Sequence, residues 1–283
     1  GLFGQSFIDF EYVKRKSYEL SGIVSKDSTI KSAIHNLNLH FITTRSKKQN
    51  LRVSEVSGFE VVKWLPSNNQ IILGNTLREQ SRNLTLHQYL IDLAKASTYR
   101  FLNGFRLNEY VDGFQRGAKY TRKDVFRVLQ WDKLPNAQNV GGYIVSSDKT
   151  NCPIFVTYHK EDHISETTKY EDRFINPGHV IYMSKNRRTL KSPDVNAILN
   201  HQSTSMRMPF FVKKNDDEGL AFYYLGELTA IKEKFVDTTM SSGDGKEVSV
   251  VKMEFLLDIG VNYRLYKYLT ETLNKSNLEV FQK

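Results

Sequence analysis

Between residues 160 and 194 the chain gathers the side-chain types that do chemistry. "KEDHISETTKYEDRF" supplies carboxylates, a histidine and two aromatic rings, and "GHVIYMSKNRRTLKSPD" adds a strand-like segment that ends in positive charge. Hydrolysis at a metal, acid–base work by a carboxylate pair, and retention of a polyanion could all draw on such a mixture. His159 and His163 are four apart, a spacing that holds a metal on a helix but here straddles the end of a strand, so no metal site is expected. Glu171 and Asp172 are neighbours, and on an extended chain their side chains point to opposite sides, which makes them a poor carboxylate pair. No GxxxxGK, HExxH or GxSxG occurs. "GDGK" at 243–246 lies on a hairpin and lacks the leading glycine, and "FLLDI" with "IKEK" gives no coherent D…ExK set for a metal-dependent nuclease. No catalytic residue is assigned.

Retention of a polyanion fits better. Tyr143, Phe155, Tyr158, Tyr170, Phe174 and Tyr182 lie on or beside strands, with Lys160, Lys185, Arg187, Arg188 and Lys191 near the strand ends. Rings can stack on bases while cations hold phosphates, although most aromatics of a small barrel are simply core. "SKNRRTLK" is therefore expected to contact phosphate, with Lys160 and Lys185 beside it. Charge points the same way. The net charge is +9, from 40 basic and 31 acidic residues. Residues 1–116 hold 16 basic and 10 acidic residues, 117–214 hold 16 and 9, and 215–283 hold 8 and 12, or +6, +7 and −4. A basic body with an acidic end suits a polyanionic partner.

These residues need a scaffold, and 283 residues, 40% of them hydrophobic, suffice for two ordinary domains. The single Cys152 excludes an internal disulfide framework and a Cys-rich zinc site, and fits a reducing, cytoplasmic setting. The opening "GLFGQSFIDFEYVKRK" has no basic leader before an apolar core, so no secretory signal is expected, and its lack of methionine suggests a piece of a longer protein. No run approaches the roughly 18 apolar residues of a membrane span.

The first 116 residues read as mainly helical. A helix is expected over 26–37, entered through Ser28 or Thr29, and a strand or short helix at "EVVKWL" before Pro66. Another helix follows Thr85, in "TLHQYLIDLAKAS", whose Thr-x-x-Gln spacing suits a capping box. Its Leu86, Leu90, Leu93 and Ala94 form an apolar stripe expected to be core. Thr121 is placed to cap a helix over 122–130. Strands are expected at 141–147, 153–160, 178–185, 209–214, 222–236 and 248–259, with a Gly-rich hairpin turn at 241–247 and short helices from Ser192 and in "NYRLYKYLTETLN". The fold class expected is α+β: a helical connecting domain, 1–116, then a mostly antiparallel, closed or nearly closed small barrel, 117–283.

Six separated motifs in order, "YTRKDVFRVLQW", "NVGGYIV", "CPIFVTYHK", "YEDRF", "YMSKNRRTLKSPDV" and "FVKKNDDEG…FYYLGE", resemble the domain of unknown function found C-terminal to superfamily II helicases. The whole chain is similar to the C-terminal target-recognition region of SauUSI-type, modification-dependent (type IV) restriction enzymes. The resemblance implies a barrel akin to SRA and PUA domains that reads 5-methylcytosine or 5-hydroxymethylcytosine in double-stranded DNA. It also implies nuclease and ATP-dependent helicase domains in the same parent protein, which would need ATP and Mg, whereas this chain needs no cofactor. A methyl group is small, so a reader gains most by flipping the base into a pocket that stacks on its faces and reads its edge. On that reading Tyr170 and Tyr182 are the walls, Asp172 accepts from the cytosine amino group, and Phe155 lies near the methyl. Two other readings stay open: a protein-interaction or regulatory module attached to a helicase, and a nuclease with an unfamiliar site.

Overall fold

A computed structural model describes residues 7–46, 49–58, 60–105, 107–131, 134–135, 140–159, 172–241 and 246–271. The chain divides into two compact units, 1–110 with 130–134 and 111–129 with 135–283. The sequence expectation had drawn the boundary at 116/117.

The first unit runs β1 (Ile8–Asp9), α1 (Phe10–Ser21), α2 (Asp27–Leu37), β2 (Thr43–Ser46), β3 (Gln49–Arg52), α3 (Val53–Ser57), β4 (Val62–Leu65), β5 (Gln70–Leu73), α4 (Asn75–Gln80) and α5 (Leu84–Gly104). Strands β1, β5 and β4 make an antiparallel sheet, and Phe10, Ile30, Ile34, Val62, Ile71 and Leu73 fill the core between it and the first two helices. Asn38 locks the end of α2 to β4, since its Oδ1 accepts from Val61 and Val62 N–H and its Nδ2 donates to the Val62 carbonyl. Two helix starts differ from expectation. At α2 the cap position is Lys26, with no side-chain bond, and α5 is capped by Asn83, whose Oδ1 accepts from Thr85 and Leu86 N–H. The expected core stripe of α5 is not core: no residue of the helix is buried, and Leu84 and Leu93 are 84% and 64% exposed. Its periodicity records an amphipathic helix, and periodicity alone does not supply a partner.

At the boundary β6 (Tyr110–Val111) pairs with β7 (Phe114–Gln115), and the second unit continues with β8 (Lys119–Thr121) and α6 (Arg122–Val128). The remaining strands are β9 (Ile154–Thr157), β10 (Arg173–Asn176), β11 (His179–Met183), β12 (Pro209–Lys213), β13 (Ala221–Ala230), β14 (Val236–Ser241) and β15 (Glu247–Leu257). They form one sheet in the order β10-β11-β15-β13-β12-β9, with β14 beside β15 and β8 beside β13. Every pair is antiparallel except β9–β12. The sheet curls: Phe174 of β10 stacks on Tyr158, just past β9, at 5.7 Å, and meets Phe210 of β12 at 6.2 Å. It does not close, for β9 and β10 do not pair among the described residues. The barrel expected to be closed or nearly closed is a curled, mostly antiparallel sheet in an α+β fold, with no closing strand pair among the described residues.

Alternation along these strands fills both faces. Ile154, Val156, Val180, Tyr182, Phe210, Val212, Val251, Met253 and Phe255 share the inner core with Val195 and Ile198 of the helix Pro193–Leu199. On the other face Phe114, Tyr120, Phe126, Phe155, Phe211, Phe222 and Tyr224 form an aromatic layer with centroids 5.1–6.3 Å apart. The expected strand at 141–147 is instead a turn touching β9 by a single bridge, Tyr143 to Ile154. Gly141 takes a left-handed φ of +54°, and Asp148 Oδ1 accepts from Ser146 and Thr150, so polar side chains close this segment locally. The single long strand expected over 222–236 breaks after Ala230, where Lys232–Lys234 turns before β14. Among the described residues no helix is long and apolar enough to cross a membrane.

Candidate nucleic-acid interface

The loop after β11 is built from local chemistry that commits its backbone and frees its charges. Ser184, fully buried, continues the pairing with β15: its N–H donates to the Val251 carbonyl and its Oγ accepts from Val251 N–H. Arg188 N–H donates to the Ser249 carbonyl at 3.1 Å, and Leu190 N–H to Asp237 Oδ1 at 2.8 Å. Arg187 takes a left-handed φ of +59° at the turn, and both it and Lys191 are exposed. Neither pairs with a carboxylate among the described residues.

Arg188 is differently placed. Its Nε donates to Asp194 Oδ2 at 2.8 Å, and the buried Tyr143 hydroxyl donates to the same oxygen at 3.0 Å. Burial opposes ionisation of Asp194, but the bonds from Arg188 and Tyr143 outweigh it and hold the carboxyl below its ordinary value of 3.8. A cavity of about 400 Å³ opens here, lined by Arg188, Ser192, Pro193 and Asp194. Because the folded pKa is depressed, this carboxylate's contribution to stability is present above about pH 4 and is lost as pH falls through the lower folded value. Asp194→Ala is expected to cost about 1–3 kcal/mol, the range for stranding a buried hydroxyl. Chemical denaturation at pH 7 and at pH 3 checks this: the gap between wild type and variant should shrink at the lower pH.

The other expected site residues fall as follows. Lys185 is half-buried, with its ammonium 4.8 Å from the Tyr143 ring centre. Burial pushes it below the usual lysine range, against the attraction of Asp194. Tyr182 is 4% exposed and packs edge-on to Tyr143 at 6.1 Å. Asp172 Oδ1 accepts from the N–H of Met183, the next residue along β11, at 2.9 Å. Phe155, 3% exposed, stacks on Phe211 at 5.2 Å in the aromatic layer, on the opposite face of the sheet from Tyr182. The structure therefore ties Asp172 to the β11 backbone next to Tyr182 in the chain and places the Phe155 ring in the other layer. Tyr170 and Lys160 lie outside the described residues. Among the described residues no three His, Cys, Asp or Glu side chains gather as a metal site would require. Cys152 is buried beneath this region, and burial pushes its thiol up to about 12, so it is an inert thiol.

Two features escaped the sequence reading. Arg122, at the first position of α6, lies against the aromatic layer and reaches toward Gly141. Gly142 packs directly on the Tyr182 hydroxyl, where a Cβ would overlap the oxygen. The signals, "YTRKD" and "NVGGY", were in view as a cap and a motif rather than as neighbours in space.

A family model described as Domain of unknown function (DUF3427) matches residues 114–269, more than half of the chain. The chain belongs to this family. Its DUF3427 region takes in most of the second unit, including the loop after β11 and the Gly141–Gly142 turn. No curated protein matches. Among solved structures, DNA modification-dependent restriction endonuclease AspBHI is 15% identical, with 50% of this chain and 75% of that one covered and a TM-score of 0.32. KRYPTONITE in complex with mCHH DNA is 14% identical over 58% of this chain and 36% of that one, with a TM-score of 0.34. The sulfur binding and SRA domains of ScoMcrA complexed with phosphorothioated DNA are 9% identical over 94% and 84%, with a TM-score of 0.36. At such identities and scores the likeness carries no residue-by-residue correspondence to the DUF3427 region.

Proposed function

We propose that this chain is a non-catalytic target-recognition domain that binds duplex DNA and reads 5-methylcytosine or 5-hydroxymethylcytosine by base flipping. It would serve the nuclease and helicase domains of an ATP-dependent type IV restriction endonuclease. The observation that carries the DNA-binding part is the loop after β11: its backbone is tied to β15 and Asp237, while Arg187 and Lys191 stand exposed and without a carboxylate partner among the described residues. A rigid loop that presents unpaired cations is suited to phosphates, because the charges are held without neutralising one another. The modified-base part is supported by the six motifs that resemble SauUSI-type enzymes and by Asp172, whose Oδ1 accepts from the N–H of Met183, the residue after Tyr182 on β11. Tyr182 is buried in this structure, so stacking a base on it would require the Gly141–Gly142 turn to open.

The test is binding of the purified chain to matched duplexes, methylated and unmethylated, with a 2-aminopurine beside the modified cytosine. The expected result is tighter binding to the methylated duplex and a fluorescence rise at saturation, with no ATP turnover and no cleavage in magnesium. Absence of binding at low salt supports an interaction module instead, and magnesium-dependent nicking supports a nuclease. Equal affinity for both duplexes would leave a DNA-binding domain without the modified-base function.

A further inference from the structure

We propose that Arg122 and Lys185, approaching Gly141 from two sides, form an anion clamp for one phosphodiester of the bound DNA strand. The proposal rests on the DNA-binding reading above and adds Arg122 of α6 as a partner for Lys185 of the loop after β11.

Arg122 is positioned rigidly. Strand β8 is held in the sheet by β13, and α6 opens on a capping box: Thr121 Oγ1 accepts from Asp124 N–H while Asp124 Oδ2 accepts from Thr121 N–H at 3.0 Å. The guanidinium then lies over two rings of the aromatic layer, its carbon 5.2 Å from the Phe155 centroid and 5.0 Å from that of Phe222. Aromatic faces fix the plane of the fork without using its hydrogen-bond donors. Among the described residues those donors are poorly employed: Nε is buried with no acceptor, and Nη2 makes a long 3.5 Å contact with the Gly141 carbonyl. Lys185 comes from the other direction, its stem against Gly141 and its ammonium over Tyr143.

Neither cation forms an ion pair among the described residues. The nearby carboxylates are engaged elsewhere, Asp216 with Lys213 at 2.7 Å and Asp194 with Arg188 and Tyr143. Burial lowers the pKa of both Arg122 and Lys185, the cost of holding a charge in a partly dehydrated place. Between them lies exposed Gly141, a stretch of bare backbone that an oxygen can approach closely. Two convergent cations select a full negative charge over the neutral edge of a base, and a planar fork beside a point charge suits a phosphate.

The test uses the whole chain and a duplex it binds, with affinity measured by fluorescence anisotropy across a range of salt. Arg122→Met and Lys185→Met keep much of the packing and remove the charge. Together they are expected to lower the slope of log K against log salt by about one unit, that of a single neutralised phosphate, and each alone by part of it. Arg122→Lys should restore most of the slope. A scan in which single phosphates are replaced by neutral methylphosphonates supplies the second measurement. One linkage should weaken wild-type binding several-fold, cost less in Arg122→Met, and cost nothing further in the double variant. Should Arg122→Met fail to fold, the same scan with Lys185→Met decides, since both cations are assigned to one linkage. Unchanged slopes in folded variants of a chain that binds DNA would overturn the clamp and leave the DNA-binding reading standing. Loss of methylation preference at constant slope would place Arg122 on a base instead. A wild type that binds no duplex at all would remove both.

Discussion

Replacing Arg187 and Lys191 together with alanine is expected to weaken binding to methylated and unmethylated duplex alike, by roughly 50-fold near 0.1 M salt. The size follows from counterion release: each phosphate contact contributes about 0.9 to the salt slope, or somewhat under tenfold in affinity at that concentration. The equality follows from position, since both side chains are exposed on a loop whose backbone is bonded to β15 and Asp237, so their loss leaves the fold intact. Arg188 does not belong in the same pair. Its Nε is bound to Asp194, and truncating it would strand a carboxylate as well as remove a charge. Salt titrations by anisotropy, with thermal melts as the folding control, check this. A melting point unchanged and an affinity within twofold of wild type would remove the loop from the interface.

Gly142→Ala is expected to produce the largest loss of stability of any single change in this region, about 2–3 kcal/mol, at the upper end of the cost of overpacking. A methyl at this position would overlap the Tyr182 hydroxyl oxygen, and the Phe155 carbonyl oxygen at 3.5 Å closes the other side. Tyr182 is held in the inner core and cannot easily withdraw. Tyr182→Phe removes the oxygen and leaves the ring carbon 3.1 Å from the new methyl, so the double variant should regain part of the loss but not all of it. A double-mutant cycle from urea denaturation gives the coupling directly. Additive single effects would mean that the strain lies elsewhere.

Much of the scaffold was legible because its signals are local. Thr121 reads as a helix cap in the sequence, and in the structure it caps α6 with Asp124 completing a capping box. The alternation of Val251, Met253, Phe255 and Leu257 with Lys252, Glu254 and Asp258 marked β15, and "SKNRRTLK" marked a basic strand end. What was not legible depends on partners distant in sequence. Two- to four-residue strands such as β8 and β10 exist through the strands beside them, and three or four residues carry no periodicity of their own. Phe155 and Tyr182 both read as ring-bearing strand residues, yet the strands place them on opposite faces. The stripe of α5 shows the reverse failure, a strong local pattern with no buried residue beneath it.

The pairing of β8 with β13 limits how this region can be divided. Tyr120 sits opposite Phe222, about a hundred residues later, so Arg122 reaches its place only after a loop of that length has closed. Such a pairing is slow to form and gains nothing until both ends are present. The Arg122 side of the interface is therefore a late product of folding, and a fragment ending before β13 would retain the cations of 184–191 while losing the strand that anchors Arg122. Cutting the chain to a minimal binder would separate charge from geometry.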